Sequence, residues 1–321
     1  MDRRVFGMGL AATALSASHT AHAQSDWPTK PIRVIVPYSA GGAADGLARL
    51  YFGRVSERLG QPVIIENKGG GGGTIGALAA AKADPDGSTF LYDATAFSVN
   101  PSLLPSLPYD PAKDFQPVFL AARLPNLLVV HPSVNAASVA DVISEARRQG
   151  SLDWGSAGNG SVQHLSLELF RSLADIKINH IPYKGGAPAL SDLIGGHLKF
   201  LFSNTAAATP HVQAGRIKAI AHTGVDRLAA FPELPAVSDT LPGCVAYEWN
   251  GIFAPARTPA PIIERLNAVL NDVQAEPAIA KRLADLSVLT QKNTPADFAA
   301  FVAAETVKWG KVVRDANIKP E

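Results

Sequence analysis

The sequence predicts an α/β protein with two lobes of parallel-rich sheet, flanked by helices and joined by two hinge crossings. Two observations support this fold class. Short runs of β-branched residues alternate with amphipathic helical runs along most of the chain, a pattern typical of parallel sheets with helices on both faces. Two proline-rich stretches without periodicity, at 100–114 and 226–243, interrupt the alternation and set a middle block apart from an outer one.

The strands and helices can be assigned in chain order from these patterns. We predict strands at 32–37, 62–67, 89–93, 117–121, 127–131, 152–155, 177–182, 198–203 and 217–223. Amphipathic helices are predicted at 44–59, 138–148 and 161–174, and three more helical runs begin at residues 261, 276 and 295. Residues 27–124 and 224–321 then form one discontinuous lobe and residues 125–223 the other, with two sequential domains as the alternative.

The first residues have the features of an export signal. Residues 1–4 are basic, residues 5–15 are apolar, and residues 21–23 match the small-x-small pattern of a cleavage site. The apolar run is too short to span a bilayer, which takes about 20 residues. We therefore predict a signal peptide at 1–23, with cleavage after Ala23 and export to the periplasm. Arg3-Arg4 leaves both the Sec and the twin-arginine routes open.

Composition limits the function classes that are open to the chain. Its 321 residues carry a formal net charge of +1 without basic runs, so it has no electrostatic footprint for DNA or RNA. Cys244 is the single cysteine, which excludes an internal disulfide and a thiolate metal cluster. We expect a monomer that needs no cofactor and no metal.

Four loops that follow predicted strands combine small residues with neutral hydrogen-bond donors. They lie at 38–45, 94–96, 156–161 and 183–186, and each precedes a helix. Helix amino termini attract anions through free N–H groups and the helix dipole, and glycine lets a ligand approach the backbone. For any single loop, turn and cap chemistry is the alternative, and Asp45 is expected to cap the first one. The candidate ligand-binding residues of these loops are Ser39, Gly41, Gly42, Thr95, Ser156, Asn159 and Ser161, with His164 one turn further on.

A second glycine pattern favours a different function. Gly71, Gly73 and Gly76 match G-x-G-x-x-G, and Asp93 ends the next strand, which together imitate a dinucleotide-binding fingerprint. An exported nicotinamide-dependent oxidoreductase is therefore the alternative function. However, five consecutive glycines match this pattern easily, and they follow the second strand instead of the first. Because no G-x-S-x-G or H-E-x-x-H motif is present either, we do not expect an enzyme.

Long segments of the chain also carry a family resemblance. They include VPYSAGGAADGLAR, IENKGGGGGTIGALAAAKADPDGSTFLYD, GSAGNGSVQHLSLELF and WNGIFAPARTPAPIIERLN. These segments resemble the tripartite tricarboxylate transporter receptor family, the Bug-type solute receptors, over about residues 27–318. The resemblance implies a type II periplasmic-binding-protein fold without catalysis. It also implies a cleft that captures a small mono- or dicarboxylate and delivers it to a membrane transporter.

The resemblance further implies which residues meet the ligand. The carboxylate would be faced by residues 38–42, which begin with Tyr38, from one lobe and by residues 156–161 from the other. The pocket would be completed by His164, Tyr183, Ser203 and Asn204. Many relatives carry an acidic residue where this chain has Ser203-Asn204. Its absence would remove a counter-charge for a ligand ammonium, which favours a carboxylate without an amine.

Overall fold

The computed structural model describes residues 27–38, 40–183 and 185–320. The predicted signal peptide, its cleavage site and the candidate residue Ser39 lie outside the described residues. The strands are β1 (Ile32–Val36), β2 (Val63–Asn67), β3 (Thr89–Ala94), β4 (Phe115–Val130), β5 (Leu152–Ser156), β6 (Ile178–Pro182), β7 (Phe200–Asn204), β8 (Lys218–His222) and β9 (Tyr247–Pro255). The α/β class is confirmed.

Helices alternate with these strands as the sequence pattern predicts. They are α1 (Ala43–Leu59), α2 (Thr74–Ala81), α3 (Ala96–Leu103), α4 (Val139–Gln149), α5 (Val162–Ala174), α6 (Gly186–Ile194), α7 (Thr205–Gln213), α8 (Ala260–Ala275), α9 (Pro277–Asp285) and α10 (Pro295–Asp315). Within the described range, no helix is both long and apolar enough to cross a membrane.

The strands form one continuous sheet in the order β2-β1-β3-β9-β4-β7-β5-β6, and β8 also pairs with β4. Strand β1 is parallel to β2 and β3, and β5 is parallel to β6 and β7. Strands β4 and β9 are antiparallel to all their neighbours. The sheet is therefore mixed: the outer strands of both parts are parallel, as predicted, and β4 and β9 at its centre are antiparallel. Parallel neighbours need crossover connections, whereas β4 itself runs from one part of the sheet into the other and β9 follows the segment that returns.

Strand β4 joins the two parts of the sheet. We predicted two strands here, at 117–121 and 127–131, and Pro125, a residue type that normally interrupts a central strand, stands between them. The structure instead has one strand of 16 residues. Its residues up to Pro125 pair with β9, and those from Asn126 onward pair with β7 and β8. Proline is tolerated because it stands at the point where the partner strand changes. We call the parts on either side of this point the first and second lobes.

Helices cover both faces of each lobe. In the first lobe, α1 and α8 bury Tyr51, Phe52 and Leu266 against one face, and α10 buries Phe298 against the other. The second lobe buries Trp154 and Phe170 in the same way. Each such side chain contributes roughly 1.5–3 kcal/mol on burial. Both lobes are thus three-layered, and the carboxyl ends of their parallel strands are left for a site.

A separate apolar cluster connects the lobes behind the sheet. Val162 and Leu165 of α5 pack with Val99 of α3 and with Trp309 and Val313 of α10. Trp309 is fully buried, and its Nε1 donates to Glu305 Oε2 at 2.7 Å. The last helix of the chain, a first-lobe element, therefore supports the helix that begins at the second-lobe loop 156–161.

Candidate ligand-binding site

The second-lobe loop at 156–161 contacts the first lobe through Gly160. Gly160, in the loop before α5, lies so close to α3 that an added Cβ would collide with the side chain of Leu103. The second-lobe loop therefore faces the first-lobe helix α3 directly. The backbone of Gly160 is left-handed, with φ +73°, so this position favours glycine both for its conformation and for the close approach.

Several helices that follow the candidate loops lack a capping side chain. No described side chain caps the amino terminus of α1, α3 or α6, whose N-cap residues are Gly42, Thr95 and Gly185. The first N–H groups of a helix have no partner within the helix, and uncapped ends can offer them to an anion. Two of these helices belong to the first lobe and one to the second, so anion-binding groups come from both sides.

The loop between β1 and α1 is shaped by Asp45. Its Oδ2 accepts a hydrogen bond from the Gly41 N–H at 2.9 Å, and its Oδ1 accepts from Asn67 Nδ2 at 3.0 Å. Arg49 is also bonded to Asp45. The bond from Arg49 is the main reason that the pKa of the Asp45 carboxyl is lowered; burial acts in the opposite direction, and the bonds from Gly41 and Asn67 add to the lowering. Asp45 therefore holds the loop in place, as expected, and the Gly41 N–H is already bonded to the Asp45 carboxylate.

Tyr38 begins the same loop and points at a buried acid. Its hydroxyl donates to Asp93 Oδ1 at 2.7 Å, and the Ala94 N–H donates to the same oxygen at 2.7 Å. Burial raises the pKa of Asp93 to about 6 despite these two bonds, which favour the ionised form. Thr95 follows, and its Oγ1 accepts from the Trp249 N–H at 3.0 Å. Thr95 therefore fixes the start of α3 to β9.

Ser156 and Ser161 shape the second-lobe loop from within. Ser156 is fully buried; its Oγ accepts from the Gly158 N–H at 3.1 Å and lies 2.6 Å from His180 Nε2. Ser161 caps α5 by accepting from the His164 N–H at 3.2 Å, and its Oγ donates to the Gly158 carbonyl at 2.7 Å. Both hydroxyls are thus engaged inside the protein, while Asn159 stands exposed at the tip of the loop.

Two histidines stack beneath this loop. The rings of His164 and His180 lie 3.8 Å apart at an angle of 12°. His164 Nδ1 accepts from the Gly160 N–H at 3.2 Å, and its Nε2 is 3.7 Å from Glu168 Oε1. Burial, followed by the charge of His164, lowers the pKa of His180 to about 4. His180 is therefore neutral near pH 7, and sequence reading missed it because a single histidine in an edge strand gives no signal.

Tyr183 ties the next loop to the protein. Its hydroxyl donates to Asp192 Oδ2 at 2.8 Å, and its N–H donates to the Ser156 carbonyl at 3.1 Å. Burial raises the pKa of this hydroxyl to about 12. The hydroxyl and the N–H of Tyr183 are thus held by α6 and by the last residue of β5.

Asn204 reveals a carboxylate that the sequence analysis did not identify. It caps α7 by accepting from the Ala206 N–H at 2.9 Å, and its Nδ2 donates to Glu248 Oε2 at 2.9 Å. Ser203, beside it, is buried and pairs with Leu127 of β4. Glu248 lies on β9, in a strand that is otherwise buried. A charged residue in such a strand is unusual, and this was the signal that could have found it.

The glycine pattern that suggested a nucleotide has a structural explanation. Gly76 lies in α2, where an added Cβ would come within 2.8 Å of the Lys68 carbonyl oxygen and of Pro37 Cβ. The pattern follows β2, which is the edge strand of the sheet. A dinucleotide binds at a switch point between strands, and an edge strand offers none. Asp93, the proposed ribose ligand, is buried and bonded to Tyr38.

The described part of the chain has neither a cluster of metal ligands nor a reactive thiol. No group of three or more His, Cys, Asp or Glu residues there is placed to hold a metal ion. Cys244 is buried in the core of the second lobe, and burial raises the pKa of its thiol to about 12. The thiolate is the reactive form of cysteine, so Cys244 acts as a packing residue.

Comparisons with known proteins indicate the family of this chain. A protein-family comparison matches residues 47–318 to the tripartite tricarboxylate transporter family receptor. Protein BugT of Bordetella pertussis is 34% identical over 319 residues, which cover 98% of this chain and 97% of that protein. The solved structure of R. palustris Rpa4515 with adipate is 36% identical, with a TM-score of 0.81, over 92% of this chain and 100% of that one.

A second solved structure extends the comparison. MatC (Rpa3494) from Rhodopseudomonas palustris with bound malate is 32% identical, with a TM-score of 0.76. The match covers 89% of this chain and 100% of that chain. The family match and these identities all extend over most of the sequence and over the same fold, so the chain belongs to the tripartite tricarboxylate transporter receptor family.

Proposed function

We propose that this protein is a periplasmic receptor that binds a small mono- or dicarboxylate between its lobes and delivers it to a tripartite tricarboxylate-type membrane transporter. The uncapped helix starts of α1, α3 and α6, which come from both lobes, carry this proposal. The similar structures that contain adipate and malate support it. The protein acts as a solute receptor and catalyses no reaction.

Export and lobe movement are parts of the same proposal. The signal-peptide pattern at 1–23 supports cleavage after Ala23. We assign residues 27–124 and 224–321 to one moving lobe and residues 125–223 to the other, because β4 changes its partner strands at Pro125. Intact mass of the protein isolated from the periplasm tests the cleavage site, and a mass that includes residues 1–4 contradicts it.

The strength expected of such a site is consistent with a carboxylate ligand. Micromolar binding needs about 8 kcal/mol, and hydrogen bonds to charged groups contribute roughly 1.5–3 kcal/mol each. Four or five such bonds therefore suffice without an arginine that grips the ligand. The candidate contacts at Tyr38, Gly42, Thr95, Asn159 and their neighbours stay predictions at this level.

Thermal unfolding with and without ligand tests the proposed function. At about 100 times Kd, a carboxylate should add about 2.7 kcal/mol to the free energy of unfolding. For a chain of this size that corresponds to roughly 5–10 °C in Tm. The amide or methyl ester of the same acid is the matched control, and it should leave Tm unchanged because it carries no charge for the helix amino termini. Equal shifts by acid and amide would contradict a carboxylate receptor.

A further inference from the structure

The side chain of Glu248 spans the line at which the two lobes meet. On β9, Glu248 stands opposite Leu124 of β4, and on the far side of β4, Asn126 stands opposite Asn204. The bond between Glu248 Oε2 and Asn204 Nδ2 therefore crosses β4 from a first-lobe strand to the amino terminus of a second-lobe helix. Its carboxylate lies at the carboxyl end of β7, beside Asn204.

The surroundings of Glu248 are polar but uncharged. Burial raises the pKa of Glu248, and the amides of Asn204 and Gln163 oppose this shift because they stabilise the ionised form. Gln163 is itself bonded to Asn126. In the described parts of the chain, no Lys, Arg or His forms an ion pair with Glu248. A carboxylate has about four acceptor positions, of which these amides occupy two. An acceptor that is half-buried without a cation is costly unless a further donor reaches it.

Other groups of the cleft leave this acceptor available to a ligand. The Tyr38 hydroxyl already donates its hydrogen bond to Asp93 Oδ1, at 2.7 Å. Glu248 is near enough to Tyr38 that its charge, after burial and Asp93, raises the pKa of that hydroxyl. Glu248 therefore lies near Tyr38, the residue that begins the first-lobe loop. An ionised acid at this place repels a ligand carboxylate and attracts a hydroxyl or ammonium group.

We infer that Glu248 determines ligand specificity, because it selects carboxylates that carry a hydroxyl or ammonium group over unsubstituted carboxylates of the same length. The inference rests on the proposed function and refines it. It also differs from the expectation drawn from Ser203-Asn204. The acid that seemed to be missing there is supplied by β9 and is bonded to Asn204 itself, so an amine on the ligand does not lack a counter-charge.

Calorimetric binding to a matched panel at pH 7.5 tests the inference. The panel contains propionate, lactate and alanine; succinate, malate and aspartate; and glutarate, 2-hydroxyglutarate and glutamate. In a series that binds, the best substituted acid should bind about tenfold or more tightly than the unsubstituted one, since a hydrogen bond to a charged group is at stake. Within each series, the comparison of the hydroxy acid with the amino acid shows whether a hydroxyl or an ammonium donor is preferred.

Substitutions then assign the preference to this residue. Glu248→Gln keeps the shape but removes the charge, and it should reduce the preference to about threefold or less, because a bond to a neutral acceptor is weaker. Glu248→Asp withdraws the charge by one methylene and should weaken the preference less. Glu264→Gln, at an exposed position of α8, is the matched control and should leave the preference unchanged.

The possible outcomes separate this inference from the proposed function. Equal or tighter binding of the unsubstituted acids to the wild type overturns the inference and leaves the carboxylate receptor standing. A preference that survives in a folded Glu248→Gln protein also overturns it. If no acid of the panel binds while uncharged solutes do, the proposed function itself fails.

Discussion

Asp93 and His180 flank the proposed cleft and respond to pH in opposite directions. Asp93 ends a first-lobe strand, and burial raises its pKa from the ordinary value of 3.8 to about 6. His180 lies in a second-lobe strand, and burial lowers its pKa from 6.5 to about 4. Each shift disfavours the charged form, so near neutral pH Asp93 costs stability while His180 stays uncharged.

The Asp93→Asn substitution should stabilise the protein at neutral pH. The folded chain keeps the Asp93 proton up to about pH 6, whereas the unfolded chain loses it near pH 4. This group therefore destabilises the fold increasingly as pH rises from 4 to 6. Asparagine still accepts from Tyr38, so we expect up to about 3 kcal/mol more free energy of unfolding at pH 7.5 and little change at pH 4. Urea unfolding at both pH values is the measurement, and an equal effect at both would contradict the prediction.

His180 should give the protein part of its acid sensitivity. The unfolded chain binds a proton at His180 near pH 6.5, and the folded chain only near pH 4, so this contribution to stability is lost as pH falls through that window. His180→Gln keeps a partner for Ser156 and cannot titrate. Its Tm should therefore fall less than that of the wild type between pH 6.5 and 4. His197→Gln, at an exposed position, is the control, and a slope like the wild type's in His180→Gln would refute the assignment.

The sequence predicts the loops of the candidate site but not Glu248 or His180. Glycine, serine and asparagine after a strand mark a loop by local pattern alone, and this is how residues 41–42 and 156–161 were identified. Glu248 gave no such pattern, because its partner Asn204 lies 44 residues away in the chain. The Ser156 hydroxyl was expected to face a ligand. In the structure it is bonded to His180, a residue of the neighbouring strand that the local pattern around Ser156 does not show.

At the scale of elements, the loop between β5 and α5 depends on the Ser156 hydroxyl. We expect Ser156→Ala to lower the free energy of unfolding by about 1–3 kcal/mol, because the Gly158 N–H and the partly buried His180 lose their partner. Carboxylate binding should weaken as well, since the loop loses its shape. Chemical unfolding and calorimetric titration of the same protein separate the two effects. Unchanged stability with weakened binding would instead mean that Ser156 contacts the ligand directly.

Strand and helix positions were predictable wherever the chain follows local pattern. The predicted bounds agree with the structure within two residues for β1, β2, β3, β5, β6, β7 and β8. The failure at β4 arose from Pro125, because its tolerance depends on a change of partner strand that no local pattern shows. β9 was not predicted as a strand, and the directions of β4 and β9 in the sheet were not predicted either, because they are set by how the chain passes between the lobes.

For the whole molecule, ligand binding should draw the lobes together. Ligand groups reach donors of both lobes only when the cleft is closed, so binding favours that state. We expect the radius of gyration in small-angle scattering to fall when a binding acid is added. The amide of that acid is the control. An unchanged radius, with binding confirmed by calorimetry, would indicate a rigid pocket.

The position of β9 has a consequence for how this protein comes into being. This strand begins only at Tyr247, yet it lies between β3 and β4 in the sheet. Its contact with β3 joins Leu91 to Phe253, and pairings over about 160 residues form slowly. Until a growing chain has passed Pro255, β3 and β4 each present an unpaired edge, which is a template for aggregation. The centre of the sheet is therefore the last part to form, when about four fifths of the chain has already been made.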